Sequence, residues 1–218
     1  YDADSKKKVV PELMPRALYW FRWGAAYTWI TGFLLMGLVY YMQPNLLPSE
    51  STMGKGTGIA ISLVVILVAF FVYDALWKAL AGKEQAGVVV SFAIVAVVVF
   101  GLSRIFSGRA LFIHLGAVFG TIMALNVWMR IWPSQKKIIA AIKGGTAPDG
   151  ATVALAGLRS KQNTYMSVPL LMTMLSNHYP TIYGSDLGWL ILLVLVLVGW
   201  GAVKLLYIKS ADTAPAKF

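Results

Sequence analysis

"TGIAISLVVILVAFFVYDALW", residues 57–77, decides the class of this chain: 21 residues with one charged side chain, Asp74, and no proline. A helix of roughly 20 residues crosses the hydrocarbon core of a bilayer, about 30 Å thick. Backbone amides in lipid must be satisfied within the segment, so a run of this length reads as a transmembrane helix rather than a strand. Working outward, comparable stretches lie at 17–41, 86–103, 110–131, 164–180 and 187–208. Hydrophobic residues make up 58% of the 218 and charged residues 13%, which is far more apolar than a soluble domain. The expected fold is an all-α integral membrane protein, a bundle of about six transmembrane helices.

The charge pattern orients these spans. The net charge is +10, yet 16 of the 19 Lys and Arg fall on one side of the alternating spans, and only Lys55, Arg104 and Arg109 fall on the other. By the positive-inside rule the richer side is cytoplasmic and both termini lie there. The expected organisation is a cytoplasmic N-terminal segment at 1–16, four transmembrane helices over 17–131, a cytoplasmic connection at 132–163, two transmembrane helices over 164–208 and a tail at 209–218. The basicity thus reflects topology and attraction to anionic lipid. Nucleic acid is not expected as a partner, because no basic stripe is interleaved with stacking aromatics. The chain begins at Tyr1 without an initiator Met, which suggests a processed or truncated start with room for a further helix before it.

Within the connection, "QKKIIAAIKGG", residues 135–145, reads as a short interfacial helix with a basic face, stopped by Gly144 and Gly145. "GATVALAGLRSK", residues 150–161, reads as a second short helix. Tyr40, Tyr41, Trp77, Trp128, Trp132 and Trp189 fall at span ends, where aromatic belts sit. Gly116 and Gly120 form a small-xxx-small pair that admits a close helix. Asp74 and Lys78 are spaced as a surface ion pair, and Arg22 and Lys204 are within snorkelling reach of an interface. Asn126 is deeper and is expected to bond another helix, while Pro169 interrupts the 164–180 span.

There is no cysteine, which excludes disulfides, thiolate metal ligands and the C-x-x-C-H anchor of a c-type haem within these residues. There are two histidines. His114 lies in "SGRALFIHLG", about 7 Å below the outer end of its span at 1.5 Å per residue. His178 ends "LLMTMLSNHYP", where Pro180 helps to stop the helix. Both therefore sit at similar depth on sequence-adjacent spans and are expected to meet across an outer-leaflet pocket. Three readings stand: each imidazole bonded to a neighbouring carbonyl or to a hydroxyl such as that of Tyr179 or Thr121, axial ligation of a haem b or another metal, or a proton-relay or substrate role.

"FIHLGAVFGTIMALNVWMRIWPSQKK" at 112–137 and "NTYMSVPLLMTMLSNHYP" at 163–180 resemble the membrane domain of the bacterial cytochrome-c-linked urate hydroxylases, the urate oxidase N-terminal family. "PELMPRALYWFRWGAAYTWITGFLLMGLVYY" at 11–41 and "VYDALWKALAGKE" at 72–84 are similar to further family segments, so the resemblance covers most of the chain. It implies a multi-pass protein of the bacterial inner membrane that oxidises urate and hands electrons to a cytochrome c domain. The missing cysteines depart from that pattern. Two functions follow. In one, the chain is the membrane subunit of an electron-transfer oxidoreductase served by a separate cytochrome, with His114 and His178 as haem b ligands and Asn177 and Tyr179 orienting them. In the other, it is a non-catalytic accessory subunit of a larger respiratory or photosynthetic complex. A transporter is a weaker third, because no span carries a central charge or broken-helix ion site.

Overall fold

The computed structural model describes residues 3–212, and the expectations for residues 1–2 and 213–218, Lys217 included, lie outside them. The described residues form helices and connecting turns, with no strand among them. Helix α1 (Ala3–Met36) closes in a π-helical turn, Gly37–Tyr41. Helices α2 (Lys55–Ala79) and α3 (Glu84–Ser103) follow. Helix α4 (Gly108–Asn126) passes through a second π turn, Val127–Ile131, into α5 (Trp132–Lys143). Helix α6 (Gly150–Leu175) tightens into a 3₁₀ turn, Ser176–His178, before the short α7 (Pro180–Tyr183) and the long α8 (Gly188–Asp212).

Four helical stretches are long and apolar enough to cross a membrane: Lys55–Ala79, Glu84–Ser103, Gly108–Lys143 and Gly188–Ala211. The other two expected spans lie in α1 and α6. Helix α1 carries Arg22 among Trp and Tyr residues, and α6 has only 12 residues beyond Asn163 before the 3₁₀ turn. Many large apolar side chains of the four stretches point outward, among them Phe71 at 61% exposure, Val97 at 73% and Leu205 at 61%. Such faces suit hydrocarbon rather than water.

The 150–161 segment differs from its expected form. It is the first half of one unbroken helix that runs on through Pro169. Asp149 explains the start: its Oδ2 accepts from the Thr152 amide at 2.9 Å and the Thr152 hydroxyl at 2.7 Å, an N-cap that satisfies donors the helix leaves over. Pro180, as expected, does not continue α6; it opens α7 at the position where its missing N–H costs nothing.

The chain divides into two compact units, one of Tyr1–Gly32 with Ile122–Asn163 and one of Phe33–Thr121 with Thr164–Phe218. In the first, Asn126 bonds another helix as expected, donating to Asn163 Oδ1 at 2.9 Å, while Asn163 donates to the Met123 carbonyl at 3.1 Å. In the second, the Gly116 and Gly120 pair faces Thr173 and Leu170 of α6, so the small residues do admit a close helix. Phe100 on Trp189 and Phe92 on Trp200 join α3 to α8, with ring centroids 5.4 and 6.0 Å apart. Lys78 pairs with Asp74 at 2.8 Å; the lysine is exposed as expected, but the carboxylate is buried at 7% side-chain exposure.

Candidate functional site

The second unit holds a polar cluster built on one aromatic-lined histidine. In the first π turn the Met42 amide reaches back five residues to the Gly37 carbonyl at 2.9 Å. Such a wide turn alters the register of the side chains that follow it and is frequent at functional sites. Here it carries Tyr40 and Tyr41, and the rings of both lie against His114, at 5.9 and 6.3 Å between centroids. Phe106 packs closer still, at 4.6 Å.

His114 is buried at 1% exposure, and its Nδ1 lies 2.6 Å from the carbonyl of Ala110, one turn earlier on α4. A carbonyl can only accept, so Nδ1 carries the proton and the neutral ring presents Nε2 as a bare acceptor. Nε2 is buried and has no hydrogen-bond partner among the described residues. Buried polar atoms are nearly always satisfied, so an orphan of this kind marks a place where a donor belongs.

From His114 the cluster runs outward through the tyrosines. Tyr41 shares a 2.6 Å hydrogen bond with Ser62 of α2. The Tyr40 hydroxyl donates to Asn177 Oδ1 at 3.2 Å, and Arg109 Nε donates to the same oxygen at 3.0 Å. Arg109 is exposed while Tyr40 is buried, so Asn177 joins a cation in contact with solvent to a phenol in the interior. The start of α4 is pinned from two sides. Ser107 bonds the Leu46 and Asn45 carbonyls at 2.9 and 2.8 Å, and Gly108 lies so tightly against the Tyr183 carbonyl that no side chain would fit there.

Residues 1–217 match the urate oxidase N-terminal family. The chain belongs to that family. Comparison with curated proteins and with solved structures returned no match.

Of the site residues expected in this family member, the structure brings two into the cluster. His114 is its centre and Asn177 its junction. His178 and Tyr179 are exposed, Tyr179 at 57%, and among the described residues the rings packed on His114 are those of Tyr40, Tyr41 and Phe106. Three rings crowd one imidazole, and the other imidazole sits in an exposed turn. This arrangement does not fit a haem b held between His114 and His178, which would need both nitrogens aimed at one iron. Nor do the described residues contain a group of three or more His, Cys, Asp or Glu able to hold a metal ion.

Tyr40, Tyr41, Ser62 and Arg109 enter the cluster although none of them is expected there as a site residue from the sequence. The two tyrosines read as belt residues at a span end, although Tyr40 is only 4% exposed. Arg109 read as one of few outer charges. Its place five residues before a buried histidine was the available signal.

Proposed function

We propose that this member of the urate oxidase N-terminal family is the membrane part of an electron-transfer oxidoreductase of the urate-hydroxylase kind, and that Tyr40, Arg109 and Asn177, with His114 behind them, receive the substrate. The observation that carries this reading is the bare Nε2 of His114, buried beside a tyrosine whose hydroxyl meets Arg109 on Asn177 Oδ1. Urate is a planar anion with ring N–H donors and carbonyl acceptors. A guanidinium suits its charge and carbonyls, an aromatic wall suits its ring, and a neutral imidazole acceptor suits a ring N–H. Electrons from its oxidation pass to a cytochrome outside these 218 residues, since a covalent haem c needs cysteine and the sequence has none. In this reading all the expected spans cross a bacterial inner membrane, those in α1 and α6 included, both termini are cytoplasmic, and the cluster faces the outer compartment.

Equilibrium dialysis of labelled urate against the detergent-purified chain tests it. Saturable binding weakened tenfold or more by Arg109→Gln is expected, because a hydrogen bond to a charged group is worth about 1.5–3 kcal/mol. No saturable binding, or binding indifferent to Arg109→Gln, overturns it. The exposure of His178 and the poor fit to a haem favour a second reading, an accessory subunit of a larger membrane complex. Recovery from native membranes in a stoichiometric assembly, without urate binding, would support that one.

A further inference from the structure

In the first unit, the guanidinium of Arg22 on α1 lies over the Trp132 ring at 4.1 Å, with Trp128 at 5.6 Å and Tyr19 at 5.5 Å. The Trp128 indole is held in place. Trp128 Nε1 donates to the Arg22 carbonyl at 3.0 Å, and the Trp128 ring meets Trp23 edge-on at 5.2 Å. On the following turn, Lys136 Nζ stands 5.8 Å from the same Trp132 ring, so two cations flank one indole.

Stacking uses the face of a guanidinium and leaves its N–H donors in the plane, where the terminal fork matches two oxygens of one anion. The described residues supply none of those oxygens. Arg22 Nε is buried without a hydrogen-bond partner, and neither Arg22 nor Lys136 takes part in an ion pair among them. The described acidic side chains of this unit are engaged elsewhere, Glu12 with Arg16 at 3.8 Å and Asp149 with Thr152.

We infer that Arg22, Trp132 and Lys136 form a binding site for the phosphodiester of an anionic phospholipid. The surroundings select a lipid over a soluble anion. Tyr19, Trp20 and Phe21 beside Arg22 are 46%, 74% and 52% exposed, and large exposed aromatics of this kind settle at the headgroup level of a bilayer. Lys137 and Lys143 are exposed farther along α5 and add to the pull on a negative leaflet. This site is independent of the urate reading, since none of its residues belongs to the His114 cluster.

The test is native mass spectrometry of the full chain in detergent, titrated separately with phosphatidylglycerol, phosphatidylcholine and inorganic phosphate. Wild type should retain phosphatidylglycerol at least tenfold more strongly than phosphatidylcholine. Arg22→Gln should remove most of that preference, and Lys136→Gln should reduce it a few-fold. Arg22→Lys, which keeps the charge and loses the planar fork, should resemble Arg22→Gln more than wild type. Lys83→Gln, an equal loss of charge outside this unit, should leave retention unchanged. An equal loss in Lys83→Gln and Arg22→Gln would mean diffuse attraction and overturn the site. Inorganic phosphate retained as strongly as phosphatidylglycerol would overturn the lipid assignment. If Arg22→Gln fails to elute as a folded species, Lys136→Gln and Arg22→Lys decide the outcome.

Discussion

His114 Nδ1 and the Ala110 carbonyl lie 2.6 Å apart within one turn of α4, and that contact determines which nitrogen of the buried ring is left bare. The same imidazole is enclosed by Tyr40, Tyr41 and Phe106, so its packing and its chemistry can be separated by substitution. His114→Phe keeps an aromatic ring in an aromatic surround and removes Nε2. It should fold at a cost of about 1–3 kcal/mol for the extra volume of the larger ring, and should no longer bind urate. His114→Ala should cost about 2–4 kcal/mol through the cavity it leaves. Denaturation in detergent and urate dialysis read the two effects. Wild-type urate binding by the phenylalanine variant would take Nε2 out of the site.

Asn177 Oδ1 accepts from Tyr40 and from Arg109 together, which makes the residue's oxygen, rather than its size, the property that counts. Asn177→Ala strands the buried Tyr40 hydroxyl and should cost about 1–3 kcal/mol. Asn177→Asp keeps an oxygen for both donors and turns the Arg109 bond into a charge-assisted one, so its midpoint should equal or exceed that of wild type. Thermal unfolding of the two variants side by side is the check. If the aspartate variant melts as low as the alanine one, the shared-acceptor geometry does not hold this region together.

The helices were legible where the apolar run is long and unbroken, as in 57–77, which the structure makes a single helix long and apolar enough to cross a membrane. The site was legible only as single residues. His114 stood out by its rarity, but its neighbours came from a register change, and nothing in "GLVYY" announces a hydrogen bond that reaches back five residues. The bond from Tyr40 to Asn177 spans 137 residues of sequence, beyond the reach of any local pattern. Polarity misled in the opposite direction. The "LRSKQN" stretch falls in the expected cytoplasmic connection, its first four residues as the end of a second short helix, yet Arg159 is 1% exposed and Gln162 9%, buried inside a continuous α6. The pairing of His114 with His178 assumed that equal depth implies contact, whereas the tightening of α6 into a 3₁₀ turn leaves His178 exposed.

Gly116 and Gly120 share a motif but should differ in tolerance. A Cβ at Gly116 would collide with Thr173 Oγ1, which is itself tied to the Leu170 carbonyl at 2.7 Å and cannot easily swing away. A Cβ at Gly120 would meet only the Leu170 Cδ1 methyl at 3.4 Å, the movable end of a side chain. Gly116→Ala should therefore cost about 1–3 kcal/mol by overpacking. Gly120→Ala should be near neutral, helped by the better helix propensity of alanine. Adding Thr173→Ala to Gly116→Ala should restore much of the loss, and melting of the four chains gives the coupling. Equal effects at the two glycines would mean that α6 does not approach α4 as closely as the structure shows.

The cap of α6 should make its first turn sensitive to acid. Hydrogen bonds from the Thr152 side chain, and then from its amide, hold the Asp149 carboxyl below the ordinary carboxylate range. A folded pKa that is lowered in this way adds stability in full above the unfolded value and loses it as pH falls through the folded one. Amide exchange at Ala151, Thr152 and Val153 should thus be slow at neutral pH and speed up, relative to intrinsic rates, only in strongly acidic buffer. Asp149→Asn, whose amide oxygen can still cap, should keep much of the protection at neutral pH and lose the acid dependence. Asp149→Ala should exchange fast throughout. Protection in Asp149→Ala equal to wild type at neutral pH would show that the first turn of α6 is held by packing, and that the carboxylate contributes nothing to where the helix begins.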